Sequence, residues 1–205
     1  MRVSKEQAET NRTSLLQAAG RLFNEKGFDG VGVAEVAKEA GLTHGALYAH
    51  FPSKDALAAE AFTDGIDHRL AAMRRRKRTF EEYLDAMFSI EHRDNLADGC
   101  PMTASASDIA RQGTAVATSF ARAFMETAAV LEESIESEMP ASEKRHVAIS
   151  ALAAQIGAIA VARAVAKVNA PLSKEVLRAV RETVTPSFHA KGTKAKKSRL
   201  STPAK

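Results

Sequence analysis

Gly41-Leu42-Thr43-His44-Gly45-Ala46-Leu47-Tyr48-Ala49-His50-Phe51-Pro52-Ser53-Lys54 is the stretch that decides the fold of this chain. Gly41 follows an apolar-periodic run and predicts a sharp turn between two short helices. Thr43 stands where it would cap the second helix, and Pro52 stands where that helix would end. A turn, a cap and a stop at these distances are typical of a helix-turn-helix.

The second helix of this pair has an inward and an outward face. Leu47 and Phe51 lie four residues apart, so we expect both to point towards the core. Ser53 is expected to cap the following helix, whose first residue, Lys54, would lie beside a passing phosphate. The outward face carries hydrogen-bonding groups suited to a DNA groove: Thr43, His44, Gly45, Tyr48 and His50.

This stretch resembles the second half of the TetR-family DNA-binding domain, in which a small residue, Leu, Tyr, His-Phe and Lys recur at fixed spacing. The run Ala18-Ala19-Gly20-Arg21-Leu22-Phe23-Asn24-Glu25-Lys26-Gly27-Phe28 looks like the first helix of that domain. The resemblance covers roughly the first sixty positions, and the rest of the chain matches only in being helical. Gly32 departs from the family pattern, because that position usually holds a Ser or Thr that caps a helix and touches a phosphate.

The resemblance implies a ligand-responsive transcriptional regulator, in the first instance a repressor, that binds a palindromic operator in double-stranded DNA as a homodimer. A two-fold dimer would place its two recognition helices in successive major grooves, about 34 to 36 Å apart. Contacts to base edges are then expected from Thr43, His44, Gly45 and Tyr48, and contacts to phosphates from His50, Lys54 and Arg12.

Composition predicts an all-α protein. The 205 residues are 45% hydrophobic, which is enough for a buried core, and they include only six prolines and no tryptophan. We expect a three-helix DNA-binding domain with the helix-turn-helix at 1–53 and a helical ligand-binding and dimerisation domain at 54–188. Residues 189–205 read as a disordered basic tail. The six Lys and Arg of this tail reduce the formal charge from +4 to +4 − 6 = −2 when they are left out.

Helix starts and stops follow from caps, glycines and prolines. The first helix is expected from Ser4 to Lys26, and the capping-box pair Thr79 and Glu82 opens a helix after the basic run 74–78. A loop is expected at 92–99. Later helices are expected at 101–111, at 114–138 before Pro140, from a cap at Ser142 to Val168, and from Ser173 to Val184 before Pro186.

The last two helices are candidates for a dimer interface. The helix after Ser142 is apolar almost all round and must be covered on several sides, either within one subunit or by a second copy. The resemblance favours the second copy, because it implies a four-helix dimer interface. The uncharged middle of this helix, 147–162, is too short for a membrane span and is followed by Arg163, so we expect no membrane partner.

Soft apolar side chains in the body are candidates for an effector pocket, although such residues more often form plain core. The resemblance favours a small-molecule pocket between the helices of the body. The candidate lining residues are Phe62, Met87, Phe88, Cys100, Met102, Phe120 and Phe124.

Cys100 is the only cysteine, which excludes an intrachain disulfide. Its place before Pro101 predicts a helix N-terminus, where amide groups and the helix dipole favour a thiolate. His92 and Arg93, expected on the same loop, would add positive charge. The alternatives are therefore a thiol-based repressor that senses electrophiles or oxidants, and a small apolar residue packed beside the pocket.

Other classes of function have weaker support. The six histidines form no pair at metal-ligand spacing with acids or with the cysteine, so we expect no enzyme, no metal and no cofactor. An architectural nucleic-acid-binding protein that acts through its basic tail stays an alternative. The start of the chain has no continuous apolar stretch of the secretory type, which favours a cytoplasmic location.

Overall fold

The structure, a computed structural model, describes residues 4–189. Ten α-helices and no strand occur in that range, which confirms the all-α prediction. The helices are α1 (Lys5–Lys26), α2 (Val33–Glu39), α3 (His44–His50), α4 (Lys54–Arg76), α5 (Phe80–Met87), α6 (Ile90–Asp94), α7 (Pro101–Ile109), α8 (Thr114–Glu133), α9 (Ala141–Ala166) and α10 (Ala170–His189). The proposed basic tail lies outside the described residues, except for His189.

Helix α1 has the predicted limits. The Ser4 hydroxyl oxygen accepts from the Gln7 amide at 3.1 Å and caps the start of the helix. Gly27 ends it with a φ of 73°, and its amide donates to the Phe23 carbonyl at 2.9 Å. The apolar stripe around Leu15 and Leu22 is buried against α2, α3 and α4.

Helix α4 connects the first three helices to the rest of the molecule. It packs on α1 at one end and along α8 over much of its length. Its buried stripe repeats at helical spacing and consists of Leu57, Ala61, Phe62, Ile66 and Leu70. A left-handed Lys77, with a φ of 42°, ends the helix and turns the chain into the predicted capping box of Thr79 and Glu82.

Two predicted segments between α5 and α9 are wrong. The expected loop at 92–99 begins inside helix α6, which is capped by the Ser89 hydroxyl oxygen. Helix α8 ends at Glu133 and not at 138, because the chain then turns back to bury Ile135. The Lys144 ammonium donates to the Ile135 carbonyl at 2.9 Å, a tertiary contact that competes with continuation of the helix.

The limits of α9 and α10 also differ from the predictions. Pro140, and not Ser142, holds the cap position of α9, so the helix begins at Ala141. Helix α10 begins at Ala170 and continues through Pro186 to His189. A proline so close to a helix end removes only one late backbone hydrogen bond, so the helix can continue past it.

Helix α9 is the central helix of the body and packs against α10, α8, α7 and α6. By length and composition alone it is apolar enough to cross a membrane, and the core helix of a globular protein meets the same test. Its inward face is buried through Ala148, Leu152 and Ile159. Its opposite face, around Gly157 and Val161, is exposed and consists mainly of small and apolar residues.

Candidate nucleic-acid interface and cavities

The turn between α2 and α3 is built on one glycine. Gly41 has a φ of 69°, a left-handed value that favours glycine. The backbone closes around it, because the Leu42 amide donates to the Ala37 carbonyl at 2.8 Å and the Gly41 amide to that of Lys38 at 3.0 Å. This is the predicted sharp turn of a helix-turn-helix, and it fixes the direction in which α3 leaves α2.

Helix α3 is held from its inner side. Leu47 and Phe51 are fully buried, as their spacing predicts. The Thr43 hydroxyl oxygen accepts from the Ala46 amide at 3.2 Å and satisfies one of the free amides of the first turn. Two buried anchors and a cap therefore fix a helix of seven residues, which has little stability of its own.

The outer face of α3 points into open space. Thr43, His44 and Gly45 are exposed, and the Tyr48 side chain, at 46% exposure, is one of the most exposed large hydrophobic residues of the described chain. The rings of His44 and Tyr48 meet edge to face with their centroids 5.0 Å apart. A Cβ added to Gly45 would meet nothing within 4 Å, so no packing within the subunit requires this glycine.

The proposed phosphate contacts have different surroundings. His50 is half-buried at the end of α3, and Lys54 is half-buried at the start of α4, where Ser53 caps the helix as predicted. Lys54 has no ion-pair partner among the described residues. Arg12, in contrast, forms an ion pair with Glu60 and lies over the Phe51 ring at 5.1 Å from its centroid. It thus links α1, the end of α3 and α4.

Gly32 caps α2 without a side chain. No side-chain hydrogen bond caps this helix, and a Cβ at Gly32 would meet nothing within 4 Å. The first turn of α2 therefore leaves amide groups to solvent at a position where a Ser or Thr would satisfy one of them.

One cavity lies between α1 and the body, not between the helices of the body alone. It has a volume of about 400 Å³ and is bounded by α1, α4, the loop before α7 and the start of α7. Of the seven predicted effector-pocket residues, it is lined by Phe62 only. A smaller cavity of about 140 Å³ between α4, α5 and α6 is lined by Met87.

The other predicted pocket residues are dispersed. Phe62, Phe120 and Phe124 stack in a row between α4 and α8, with neighbouring centroids 5.9 and 6.5 Å apart. Cys100 and Met102 are buried at the start of α7. Phe88 is buried at the end of α5. The structure does not bring the seven residues together around one space.

The surroundings of Cys100 differ from those predicted. His92 is not a charged neighbour, because burial first, and then Arg69 and Arg163, lower its pKa to about 4. Its Nε2 lies 2.9 Å from the Gln155 amide nitrogen, which suits a neutral ring that accepts a hydrogen bond. The Arg93 guanidinium forms an ion pair with Asp94. The expectation that His92 adds positive charge beside the thiol is therefore wrong.

Two arginines hold the body together, a role that the sequence does not predict for either of them. The Arg163 guanidinium donates to the carbonyls of Arg93 at 2.7 Å and Asn95 at 3.2 Å, and so ties α9 to the segment between α6 and α7. Arg93 donates to Asp94 at 2.7 Å and to the Ser173 hydroxyl at 2.8 Å, which ties α6 to α10. Arg163 is the only charged residue in the 147–166 part of α9, and this isolated charge is the signal that marks it in the sequence.

Within the described residues, no three His, Cys, Asp or Glu side chains gather in an arrangement that could hold a metal ion. The six histidines are spread over the chain: His44 and His50 lie at the two ends of α3, His68 lies on α4 and His92 lies on α6.

Residues 15–61 match the model of the bacterial regulatory proteins of the tetR family. The chain is 41% identical over 59 residues to the HTH-type transcriptional regulator AcrR of Shigella flexneri, a match that covers 29% of this chain and 27% of that protein. It is 36% identical over 61 residues to the HTH-type transcriptional repressor KstR2 of Mycolicibacterium smegmatis, covering 30% of each. These matches span less than a third of the relatives' length.

Solved structures match over nearly the whole chain. A TetR-family regulator from Cytophaga hutchinsonii has a TM-score of 0.66 at 21% identity, covering 90% of this chain and 97% of that one. A TetR regulator from Legionella pneumophila has a TM-score of 0.69 at 17% identity, covering 91% and 99%. The regulator FadR from Bacillus subtilis, in complex with stearoyl-CoA, has a TM-score of 0.60 at 16% identity, covering 85% and 98%. At these identities the likeness establishes the fold.

Proposed function

We propose, from the premise that this chain belongs to the TetR family of bacterial regulatory proteins, that it is a ligand-responsive repressor. It binds a palindromic operator as a homodimer and leaves it when a small molecule binds the body. Residues 1–53 form the DNA-binding head, residues 54–188 form the ligand-binding and dimerisation body, and the protein acts in the cytoplasm.

The observation that carries this proposal is the contrast between the two faces of α3. Leu47 and Phe51 are fully buried and fix the helix, while the Tyr48 side chain projects into solvent next to His44. A helix of this size fits the major groove, where side-chain donors and acceptors meet base edges. We therefore assign the base contacts to four residues of this face: Thr43, His44, Gly45 and Tyr48.

Phosphate contacts come from the ends of the neighbouring helices. Lys54 lies at the capped start of α4 without an ion-pair partner in the described range, so its charge is available to DNA. His50 lies at the other end of α3. Arg12 is partly neutralised by Glu60, so we give it a smaller share of the binding energy and a larger one in the packing of the head.

Dimerisation uses the outer faces of α9 and α10. Val161 of α9 and Leu172 of α10 are exposed there, and so is Val168 of the turn between these helices, at 87%. Gly157 lies in the middle of α9, one helical turn before Val161, and nothing in the subunit lies within 4 Å of the position of its missing Cβ. Because a mid-helix glycine costs about 1 kcal/mol relative to alanine, a close approach by a second helix is a physical reason for it.

A small-molecule effector is supported by the open spaces around α4. The FadR neighbour was crystallised with stearoyl-CoA, so the same fold accommodates a bound small molecule in that protein. The alternative of a thiol-based sensor has less support, because Cys100 is only 6% exposed. The architectural alternative depends on the basic tail, which lies outside the described residues.

Selection of bound sequences from a random DNA pool tests the proposal. We expect wild-type protein to enrich a palindrome, and Tyr48→Ala to lose this enrichment while keeping its helical content and oligomeric state. Tyr48→Phe separates the hydroxyl from the ring. If Tyr48→Ala enriched the same palindrome as the wild type, α3 would not be the reading helix, and enrichment of no sequence by the wild type would favour the architectural alternative.

A further inference from the structure

The cavity between α1 and the body has one aromatic side and one charged side. Phe23, Phe28 and Phe62 line it, all nearly buried yet with a remaining edge open to the space. A volume of about 400 Å³ lies within the range of small-molecule sites, and an apolar wall of this kind buries the body of a ligand favourably.

One cation of the cavity has no partner within the described part of the subunit. Asp98 lies 3.9 Å from the Arg21 guanidinium, Asp64 lies 3.5 Å from the His68 ring, and neither acid forms an ion pair with Arg69. Arg69 is half-buried and forms no hydrogen bond or ion pair with any described residue. An anionic ligand group is the partner that this guanidinium lacks, and a carboxylate matches its planar fork.

The surroundings of Arg69 increase its attraction for an anion. Arg69 also lines the smaller neighbouring cavity together with Arg76 and Arg78, and no acid lines that cavity. The lowered pKa of His92, to which Arg69 contributes, is consistent with a positive potential at this place. The positive potential along this face of α4 therefore increases from the aromatic end of the 400 Å³ cavity towards Arg69.

We propose that this cavity is the effector site, and that its ligand is a small apolar carboxylic acid whose carboxylate pairs with Arg69 and whose apolar body lies among Phe23, Phe28 and Phe62. The expected consequence of ligand binding, release of DNA, rests on the proposed function. Binding of the acid itself does not depend on the proposed function.

The position of the cavity explains how a bound ligand affects the position of the DNA-binding head. One wall belongs to α1, which packs against α2 and α3, the two helices of the helix-turn-helix. The other wall belongs to α4 and the start of α7. The Asn24 side-chain amide donates to the Ala97 carbonyl at 3.0 Å across one edge of this junction. A ligand that contacts both walls has different affinities for different head positions, and it shifts the population towards the position that fits it.

Binding is tested on the full-length protein without DNA. Octanoate and cinnamate serve as probes, each compared with its alcohol, octanol and cinnamyl alcohol, by isothermal titration calorimetry. We expect at least one acid to bind with one molecule per subunit. Arg69→Gln should weaken binding of that acid by about tenfold, since a charge-assisted hydrogen bond is lost, and should leave the affinity for the alcohol unchanged.

A cavity-filling variant locates the ligand. Gly20 lines the cavity from α1, and the nearest atom to an added Cβ is 4.0 Å away, so a longer side chain enters the space. Gly20→Leu should abolish binding of acid and alcohol alike, whereas Gly20→Ala, which also removes a mid-helix glycine, should bind like the wild type. Thermal unfolding of each variant verifies that it is folded.

Three outcomes overturn the site. The first is that neither acid binds, and the second is that Arg69→Gln leaves the affinity for the acids unchanged. The third is that Arg76→Gln lowers this affinity and Gly20→Leu does not, which would place the ligand in the smaller cavity. Release of the selected palindrome by the acid is measured separately. Acid binding without any palindrome would refute the repressor and leave the site intact, and a palindrome without acid binding would do the reverse.

Discussion

At the scale of single residues, surroundings distinguish cations that look equivalent in the sequence. Arg12 precedes the helix-turn-helix in the chain and Lys54 follows it, both at distances that suit phosphate contacts. The structure gives Arg12 a carboxylate and an aromatic ring, and it leaves Lys54 at the start of α4 without an ion pair in the described range. When the protein binds DNA, a cation without an ion-pair partner contributes fully to the release of counterions from the phosphates, and a paired cation contributes less.

Lys54→Gln is expected to weaken binding to operator and to random DNA alike. The slope of the logarithm of affinity against the logarithm of salt concentration should fall by about one, because one phosphate contact is lost. Fluorescence anisotropy at several salt concentrations measures both quantities. Lys174→Gln, an exposed lysine on α10, is the matched control, and an unchanged slope in Lys54→Gln would remove this residue from the interface.

His92 predicts how stability depends on pH. Its pKa falls from 6.5 to about 4 on folding, so between these values the unfolded state binds more protons than the folded state. The free energy of unfolding should therefore decrease by up to about 3 kcal/mol as the pH falls from 6.5 towards 4, and this contribution should level off below 4.

Urea unfolding at fixed protein concentration and at several pH values measures this loss. His92→Gln removes the titrating ring and should flatten the curve across this window. His146→Gln, at an exposed histidine of α9, should keep the wild-type curve. A loss of the same size in His92→Gln would assign the acid sensitivity to other groups.

At the scale of helices, the sequence predicts elements whose limits depend on local chemistry. Ser4, Thr43, Ser53 and Thr79 all cap helices as expected, because a cap satisfies amides within three residues of itself. Helix α6 was missed because it has five residues, and contacts from distant helices, such as that of Arg163, hold it. The end of α8 depends on the distant Lys144 in the same way.

The same limit applies to the sites. The outward face of α3 follows from helical period, since Leu47 and Phe51 fix the inward side. A cavity follows from how helices pack, and a list of soft apolar residues does not contain that information. The predicted lining includes Phe62 of α4 but no residue of the α1 wall, because α1 belongs to the predicted DNA-binding domain.

Two glycines of the helix-turn-helix should respond to substitution in opposite ways. Gly41→Ala forces a side chain into a left-handed backbone and should destabilise the protein by about 1 kcal/mol. Gly45→Ala lies in an open helical position and should stabilise it by up to about 1 kcal/mol. Urea unfolding measures both changes. If Gly41→Ala were as stable as Gly45→Ala, the turn would not depend on its glycine.

DNA affinity separates the two glycines further. If the α3 backbone approaches the groove closely at Gly45, Gly45→Ala loses operator affinity although it is the more stable protein. A gain in stability together with a loss of affinity is not expected from damage to the fold, so this pair distinguishes contact from folding.

At the scale of the whole molecule, the exposed face of α9 predicts the assembly. Gly157→Leu places a large side chain where the subunit itself offers free space, so the monomer should stay folded. A second helix packed closely at this point would be displaced, and the variant should become monomeric. Sedimentation at several concentrations measures this change, and Ala121→Leu on the exposed face of α8 is the control. A dimer of wild-type strength would remove Gly157 from the interface.

The separation of the two faces of α3 has a consequence for the evolution of regulators of this kind. The residues that hold the helix, Leu47 and Phe51, are fully buried, and those that we propose to contact DNA face outwards and are exposed. Substitutions on the outer face therefore cost little folding stability. A duplicated copy can drift to a new operator while its head stays folded, and selection can act on the choice of target genes one side chain at a time.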